Sequence, residues 1–167
     1  MAEMIIAVDV EKCTGCRICE LTCSHEKTKE FSPLNSRIKI MKDERNGINA
    51  PIVCQHCTDS SCAHVCPLNL YYVRESDGAV IAQEDSCIGC KACILACPYG
   101  AVSLDKDREK AVKCDLCEGE PECVDFCPSG ALRYIRADEL DMINKRKIFS
   151  KFSHSIRENK SQEGSDK

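Results

Sequence analysis

The sequence has no tryptophan, four tyrosines and four phenylalanines in 167 residues, so the aromatic rings that dominate most cores are scarce. Leu, Ile, Val and Phe together number 36, about a fifth of the chain. That is thin for a domain of this length, and something besides hydrophobic burial must help to hold the fold. No apolar run approaches the ~18–20 residues that a bilayer requires, which excludes a membrane-spanning helix. Met1 to Asp9 has no basic stretch, and its short apolar run ends in an acid, so a secretory leader is not expected. Positive charge is also short. Residues 1–143 hold 16 Lys and Arg against 24 Asp and Glu, a net −8; residues 144–160 are +5 and residues 161–167 are −1, giving −4 overall. An acidic body carries no electrostatic footprint for nucleic acid. No G-x-G-x-x-G turn or P-loop occurs, so a nucleotide or flavin site has no support, and no residue set suggests catalysis by side chains alone.

What the sequence does have is sixteen cysteines. A chain without a leader is expected in the cytoplasm, where thiols stay reduced and dense cysteine signals metal or redox chemistry rather than disulfides. The cysteines form four groups of four with none left over. Cys13, Cys16, Cys19 and Cys23 are spaced C-x2-C-x2-C-x3-C; Cys54, Cys57, Cys62 and Cys66 are spaced C-x2-C-x4-C-x3-C. Cys87, Cys90, Cys93 and Cys97 repeat the first spacing, and Cys114, Cys117, Cys123 and Cys127 run C-x2-C-x5-C-x3-C. Proline follows the last cysteine in all but the first group, where Ser24 stands instead.

Between the groups the pattern predicts short hairpins. Arg37–Met41 and Ala50–Val53 flank Asn46-Gly47, Tyr71–Arg74 and Ala79–Ala82 flank Asp77-Gly78, and Ala101–Leu104 and Lys110–Lys113 flank Asp105–Arg108. Ala131–Arg136 reads as a closing strand, and short helices are expected near Arg17–Lys27 and Lys91–Cys97. None of these pieces folds alone, so bound metal must contribute to folding.

Three cysteines at two-residue spacing put three thiolates around one loop, which suits three corners of a cubane. In the bacterial C-x2-C-x2-C-x3-C-P run the fourth cysteine ligates the other cluster of a pair. The rival is a zinc-stapled interaction module, because two C-x2-C knuckles make one tetrahedral site. The second and fourth groups satisfy that pattern in isolation. The first and third do not, since three crowded thiolates suit a single ion poorly, and the spacing favours iron–sulfur. It leaves open whether groups pair serially, one with two and three with four, or in a nested order.

The runs Cys54-Gln55-His56-Cys57, Cys87-Ile88-Gly89-Cys90 to Cys97-Pro98-Tyr99-Gly100-Ala101, and Lys113-Cys114-Asp115-Leu116-Cys117 to Cys127-Pro128-Ser129-Gly130-Ala131 resemble four-cluster ferredoxin-like subunits. These are electron-transfer partners of molybdenum and tungsten pterin oxidoreductases, some hydrogenases and carbon monoxide dehydrogenases. Val8–Cys16 is similar to the family's opening, and the resemblance spans about residues 5–136. In size the chain looks like the compact members beside tungsten aldehyde oxidoreductases and benzoyl-CoA reductases.

The resemblance implies an α+β fold of two nested ferredoxin-like units in residues 1–136, an inner one at about 50–104 and an outer one from 5–49 with 105–136. Residues 137–167 then form a C-terminal helix and polar tail. It also implies four 4Fe–4S clusters. Cys54, Cys57, Cys62 and Cys97 would hold one and Cys87, Cys90, Cys93 and Cys66 its mate; Cys13, Cys16, Cys19 and Cys127 would hold a third and Cys114, Cys117, Cys123 and Cys23 the fourth. The implied role is an electron conduit with no substrate of its own, between a catalytic subunit and a further donor or acceptor protein.

Around the ligands, Lys12, Arg17, Lys91 and Lys113 either raise the potential of a neighbouring cluster or are solvated surface charges, and the second reading is the one expected. His25, His56 and His64 lie near cysteines, but sixteen thiolates leave no place for a histidine ligand. Tyr99 is read as packing. In the tail, residues 138–144 read as helical, and Ile148, Phe149, Phe152 and Ile156 fall near one helical face amid basic residues. That face is read as docking a partner subunit, and residues 160–167 as disordered.

Overall fold

The strands of this chain pair two at a time. The computed structural model describes residues 3–105, 107–143, 145–146 and 148–149, and within them lie four separate two-stranded antiparallel sheets. β2 (Lys39–Asp43) and β3 (Ile48–Ile52) form the first hairpin, turning through Gly47 at φ +66°. The Asp43 carboxylate accepts the Arg45 and Asn46 N–H groups in that turn, which is why a short acid-led loop suffices. β4 (Tyr71–Val73) and β5 (Val80–Ala82) form the next, closed by an Arg74–Asp77 ion pair of 2.5 Å and by Gly78 at φ +73°. β6 (Val102–Asp105) and β7 (Lys110–Lys113) form the third, with Asp105 holding the Asp107 and Arg108 N–H groups.

The fourth sheet joins the ends of the cysteine-bearing region. β1 (Met4–Val8) pairs with β8 (Leu132–Arg136), Met4 opposite Arg136 and Val8 opposite Leu132. Within residues 1–9 the local pattern shows only a short apolar run. Its strand character depends on a partner more than 120 residues away, which no local pattern reveals.

Helices are short. α1 (Ile18–Thr28) carries Cys19 and Cys23, and α2 (Ser61–His64), α3 (Ala92–Ala96) and α4 (Glu122–Asp125) each run through or beside a later group. The pattern predicted helices in the first and third groups; the second and fourth hold single turns too short for a 3.6-residue periodicity to register. α1 packs on α4 and α2 on α3, so the first group meets the last and the middle two meet each other. Glu20, 3% exposed, ties α1 to β2 by accepting the Ile40 N–H at 2.7 Å, while its second oxygen faces the Arg17 guanidinium at 3.6 Å.

The core is as thin as the composition requires. Ile6, Ile38 and Leu116 are the largest apolar side chains that are essentially solvent-free, and around them Ile40, Val53, Ala79 and Leu132 pack together with Cys19, Cys23, Cys54, Cys114 and Cys123. A smaller cluster joins Val102 and Ala111 to Cys93. Hairpins and short helices of this kind define an α+β fold. Residues 137–143 are helical, with Ile148 and Phe149 exposed beyond them. Phe152, Ile156 and residues 160–167 lie outside the described residues. Among the described residues no helix is long and apolar enough to cross a membrane.

Candidate metal centres

The four cysteine loops share a backbone device. The third residue of each C-x-x-C step, Gly15, His56, Gly89 and Leu116, has a positive φ of 69°, 44°, 67° and 59°. In the first and third groups the residue after the second cysteine, Arg17 or Lys91, is left-handed as well and starts the helix. Such alternation turns successive N–H groups toward one point, the nest that cradles anionic sulfur. The bonds are visible: His56 N–H donates to Cys54 Sγ at 3.4 Å, Gly89 N–H to Cys87 Sγ at 3.4 Å and Leu116 N–H to Cys114 Sγ at 3.5 Å. Arg37, Ala101 and Ala111 add N–H donors to Cys23, Cys97 and Cys87. His56 and Leu116 bear a conformation that costs a non-glycine residue about 1–2 kcal/mol, and both are buried.

Glycine is required at one of these places. A Cβ on Gly89 would stand 2.3 Å from the Glu109 carbonyl oxygen, a backbone atom that cannot step aside; at Gly15 the obstacle is only the Asn49 side chain. Gly89→Ala is therefore expected to cost about 2 kcal/mol or more and to lower iron content at the third loop. Gly15→Ala should cost less. Thermal unfolding and iron per chain on the two variants check this, and equal effects would contradict it.

Four cavities gather the sixteen cysteines. Site 1, of about 300 Å³, is lined by Cys13, Cys16, Cys19 and Cys127. Site 2, of about 330 Å³, is lined by Cys23, Cys114, Cys117 and Cys123. Site 3, of about 370 Å³, has Cys54, Cys57, Cys62 and Cys97, and site 4, of about 430 Å³, has Cys66, Cys87, Cys90 and Cys93. Each takes three cysteines from one group and one from another. A larger, polar cleft of about 980 Å³ around Arg37, Glu84 and Asp115 holds no cysteine.

The donor set fits a polynuclear cluster. Each cavity is lined by four cysteines, and thiolate sulfur is the ligand that iron–sulfur clusters take. Burial pushes the Cys19 and Cys114 thiols up to about 12, and raises Cys123 as well. Thiolates at such positions form only where metal charge replaces the lost water. Cys127 goes the other way: burial opposes ionisation, but N–H groups of Leu132 and Ala131 and the Ser129 hydroxyl outweigh it.

The residues beside the ligands sort by burial. Lys12, Arg17 and Lys91 are exposed, in keeping with solvated charges. Lys113 is not: it is 2% exposed and donates to the carbonyls of Val80 and Cys114, which overturns its reading as a surface charge. His25 is exposed and stacks on Phe31 at 4.6 Å, and His64 pairs with Asp59 at 3.0 Å on the surface. His56 is buried; its Nδ1 accepts the Val80 N–H, so the ring is neutral, and burial, then the Lys113 charge, hold it down at about 3. Tyr99 borders site 3 but is 54% exposed, so it covers the cavity rather than packing in the core.

Comparison with known proteins agrees with this geometry. Residues 46–137 match the 4Fe-4S dicluster domain and residues 10–28 a 4Fe-4S binding domain. The polyferredoxin-like subunit of an aliphatic sulfonate oxidoreductase from Pyrococcus furiosus is 43% identical over 122 residues, 73% of this chain and 70% of that protein. A subunit of anaerobic dimethyl sulfoxide reductase from Escherichia coli is 39% identical over 153 residues, covering 80% of this chain and 73% of that one. A solved structure of the active-site complex BamBC of benzoyl coenzyme A reductase with benzoyl-CoA superposes with TM-score 0.50 at 25% identity, covering 97% of this chain and 98% of the other. The protein belongs to the 4Fe-4S dicluster family. It is an electron-transfer iron–sulfur subunit of an oxidoreductase complex, not the catalytic subunit, and sixteen cysteines provide for four 4Fe–4S clusters.

Proposed function

We propose that the chain relays single electrons between a catalytic subunit of the tungsten or molybdenum pterin class and a further redox protein of the cytoplasm. Bound 4Fe–4S clusters supply the one-electron chemistry, and the protein holds and spaces them. In this reading sites 1 to 4 each hold one cluster through the four cysteines that line it. Residues 50–104 form the inner pair of sites, and residues 5–49 with 105–136 form the outer pair. The observation that carries the reading is the crossing of cysteines: each cavity takes its fourth thiol from a different group.

In this reading the sites follow one another in a line from 1 to 4. Cys19 of site 1 lies within electrostatic reach of Cys123 of site 2, and Cys54 of site 3 within reach of Cys114 of site 2. Tyr71 lines site 4 and packs in the same small cluster as Cys62 of site 3 and Cys93 of site 4. The line ends where thiols reach solvent, at Cys16 in site 1 and Cys90 in site 4. Partners dock at those two ends. Relatives named as subunits of oxidoreductases support a catalytic partner, and the metal–pterin assignment rests on resemblance to that family.

The test is anaerobic purification of the chain with whatever accompanies it, followed by iron, sulfide, zinc, tungsten and molybdenum per polypeptide. The expected result is about sixteen iron and sixteen sulfide, with tungsten or molybdenum in the accompanying subunit. About four zinc without sulfide would make the chain a zinc-stapled interaction module instead.

A further inference from the structure

Lys113 has the wrong surroundings for a structural lysine. An ammonium ion taken out of water costs several kcal/mol unless an anion compensates it. The half-buried cations around it each have one: Lys27 and Arg37 share Asp115, Arg37 also meets Glu84, and Arg74 meets Asp77. Lys113 is more deeply buried than any of these, yet it forms no ion pair with a carboxylate among the described residues. Its hydrogen bonds run to two carbonyl oxygens, of Val80 and Cys114. Carbonyl dipoles orient an ammonium but do not neutralise it.

Lys113 lines two spaces, the polar cleft with Glu84, Asp85 and Asp115, none of which forms an ion pair with it, and one of the cysteine cavities. Lys113 lines site 3 along with Cys54, Cys57, Cys62 and Cys97. His56, whose Nδ1 accepts the Val80 N–H, lines the same cavity. The residues that line the other three cavities include no such group: Lys91 at site 4 and Arg17 at site 1 are exposed, and Lys27 and Arg37 at site 2 are already paired. We infer that the Lys113 ammonium is the counter-charge of the cluster held at site 3, and that it raises the reduction potential of that cluster alone.

The inference rests on the ligand set proposed for site 3. A 4Fe–4S cluster with four thiolates carries −2 when oxidised and −3 after accepting one electron from its donor. No bond forms or breaks; the one change is the added electron. A fixed positive charge favours the −3 state over the −2 state, so the electron rests more readily at site 3. The electron is therefore held more firmly at site 3 than it would be without the lysine.

The experiment is an EPR-monitored redox titration of the full, cluster-loaded chain, with iron counted in each sample. Lys113→Gln retains donors for the two carbonyls and removes the charge; Lys113→Arg retains the charge. In Lys113→Gln one of four midpoints should fall, leaving that cluster at least tenfold less reduced at a fixed poise, equivalent to about 59 mV for one electron. Lys113→Arg should restore most of the fall. Four unchanged midpoints at full iron content overturn the inference. If Lys113→Gln loses one cluster while Lys113→Arg keeps all four, the charge is needed to load the site and the inference stands; if both lose it, the lysine serves packing and the inference fails. Failure of the four-cluster reading shows separately, as an iron count in the unaltered chain far from about sixteen.

Discussion

Stripping the iron anaerobically with a chelator is expected to unfold the whole chain, not to leave a folded protein with four holes. The reason lies in how little else holds the pieces together. The four sheets of the described residues are two-stranded and separate from one another, and a lone two-stranded hairpin is marginal in water. α2, α3 and α4 have four or five residues, far below the ~12–15 at which an isolated helix becomes even marginal. Burying an Ile or Leu contributes about 1.5–3 kcal/mol, while fixing one residue's backbone costs about 1–2 kcal/mol. Three essentially solvent-free large aliphatic side chains cannot offset that cost across more than a hundred ordered residues. Cysteines fill much of the remaining core, and with the clusters gone they would face each other as thiols across four cavities. Far-UV circular dichroism and limited proteolysis before and after chelation measure this. A chain that keeps its strand signal and its protease resistance without iron would refute the prediction.

That dependence explains which parts of the structure could be read in advance. Each hairpin announced itself locally, through alternation around Asn46-Gly47, Asp77-Gly78 and the acid-rich turn at Asp105, because turn chemistry acts over four residues. The cysteine spacing was legible for the same reason. The β1–β8 pairing was not, since Met4 and Arg136 meet only after everything between them has folded. The left-handed residues were half legible. Gly15 and Gly89 suggest a positive φ, but His56 and Leu116 occupy the equivalent places with side chains that ordinarily avoid it.

Lys113 shows the cost of reading charge as exposure. In β7, Ala111 and Lys113 lie two residues apart and share a face, and that face is buried; so is Val112 on the other side. A strand covered on both faces has no solvent side to give its lysine. Nothing in Lys110-Ala111-Val112-Lys113 distinguishes this from an ordinary half-exposed strand, because the cover is supplied by residues remote in sequence, Val80 and His56 among them.

The crossing of cysteines makes the second large prediction. Cys97 stands in sequence with Cys87, Cys90 and Cys93, yet it lines the cavity of Cys54, Cys57 and Cys62, and the Cys57 thiol feels its charge. Cys97→Ala should therefore abolish the same EPR signal of the reduced chain as Cys57→Ala, and leave the signal lost in Cys93→Ala intact. Cys66→Ala should behave as Cys93→Ala does, because Cys66 lines site 4. Each of these losses cuts a line of four sites at its third or fourth member, so electron delivery between the two partners should stop. The catalytic subunit's turnover with an artificial acceptor should persist. A serial arrangement, in which each group serves its own cluster, gives the opposite grouping of spectra: Cys97→Ala would then match Cys93→Ala. The comparison needs no assignment of signals to sites, only the pairs of variants that look alike, and a mismatch between Cys97→Ala and Cys57→Ala would end the nested reading.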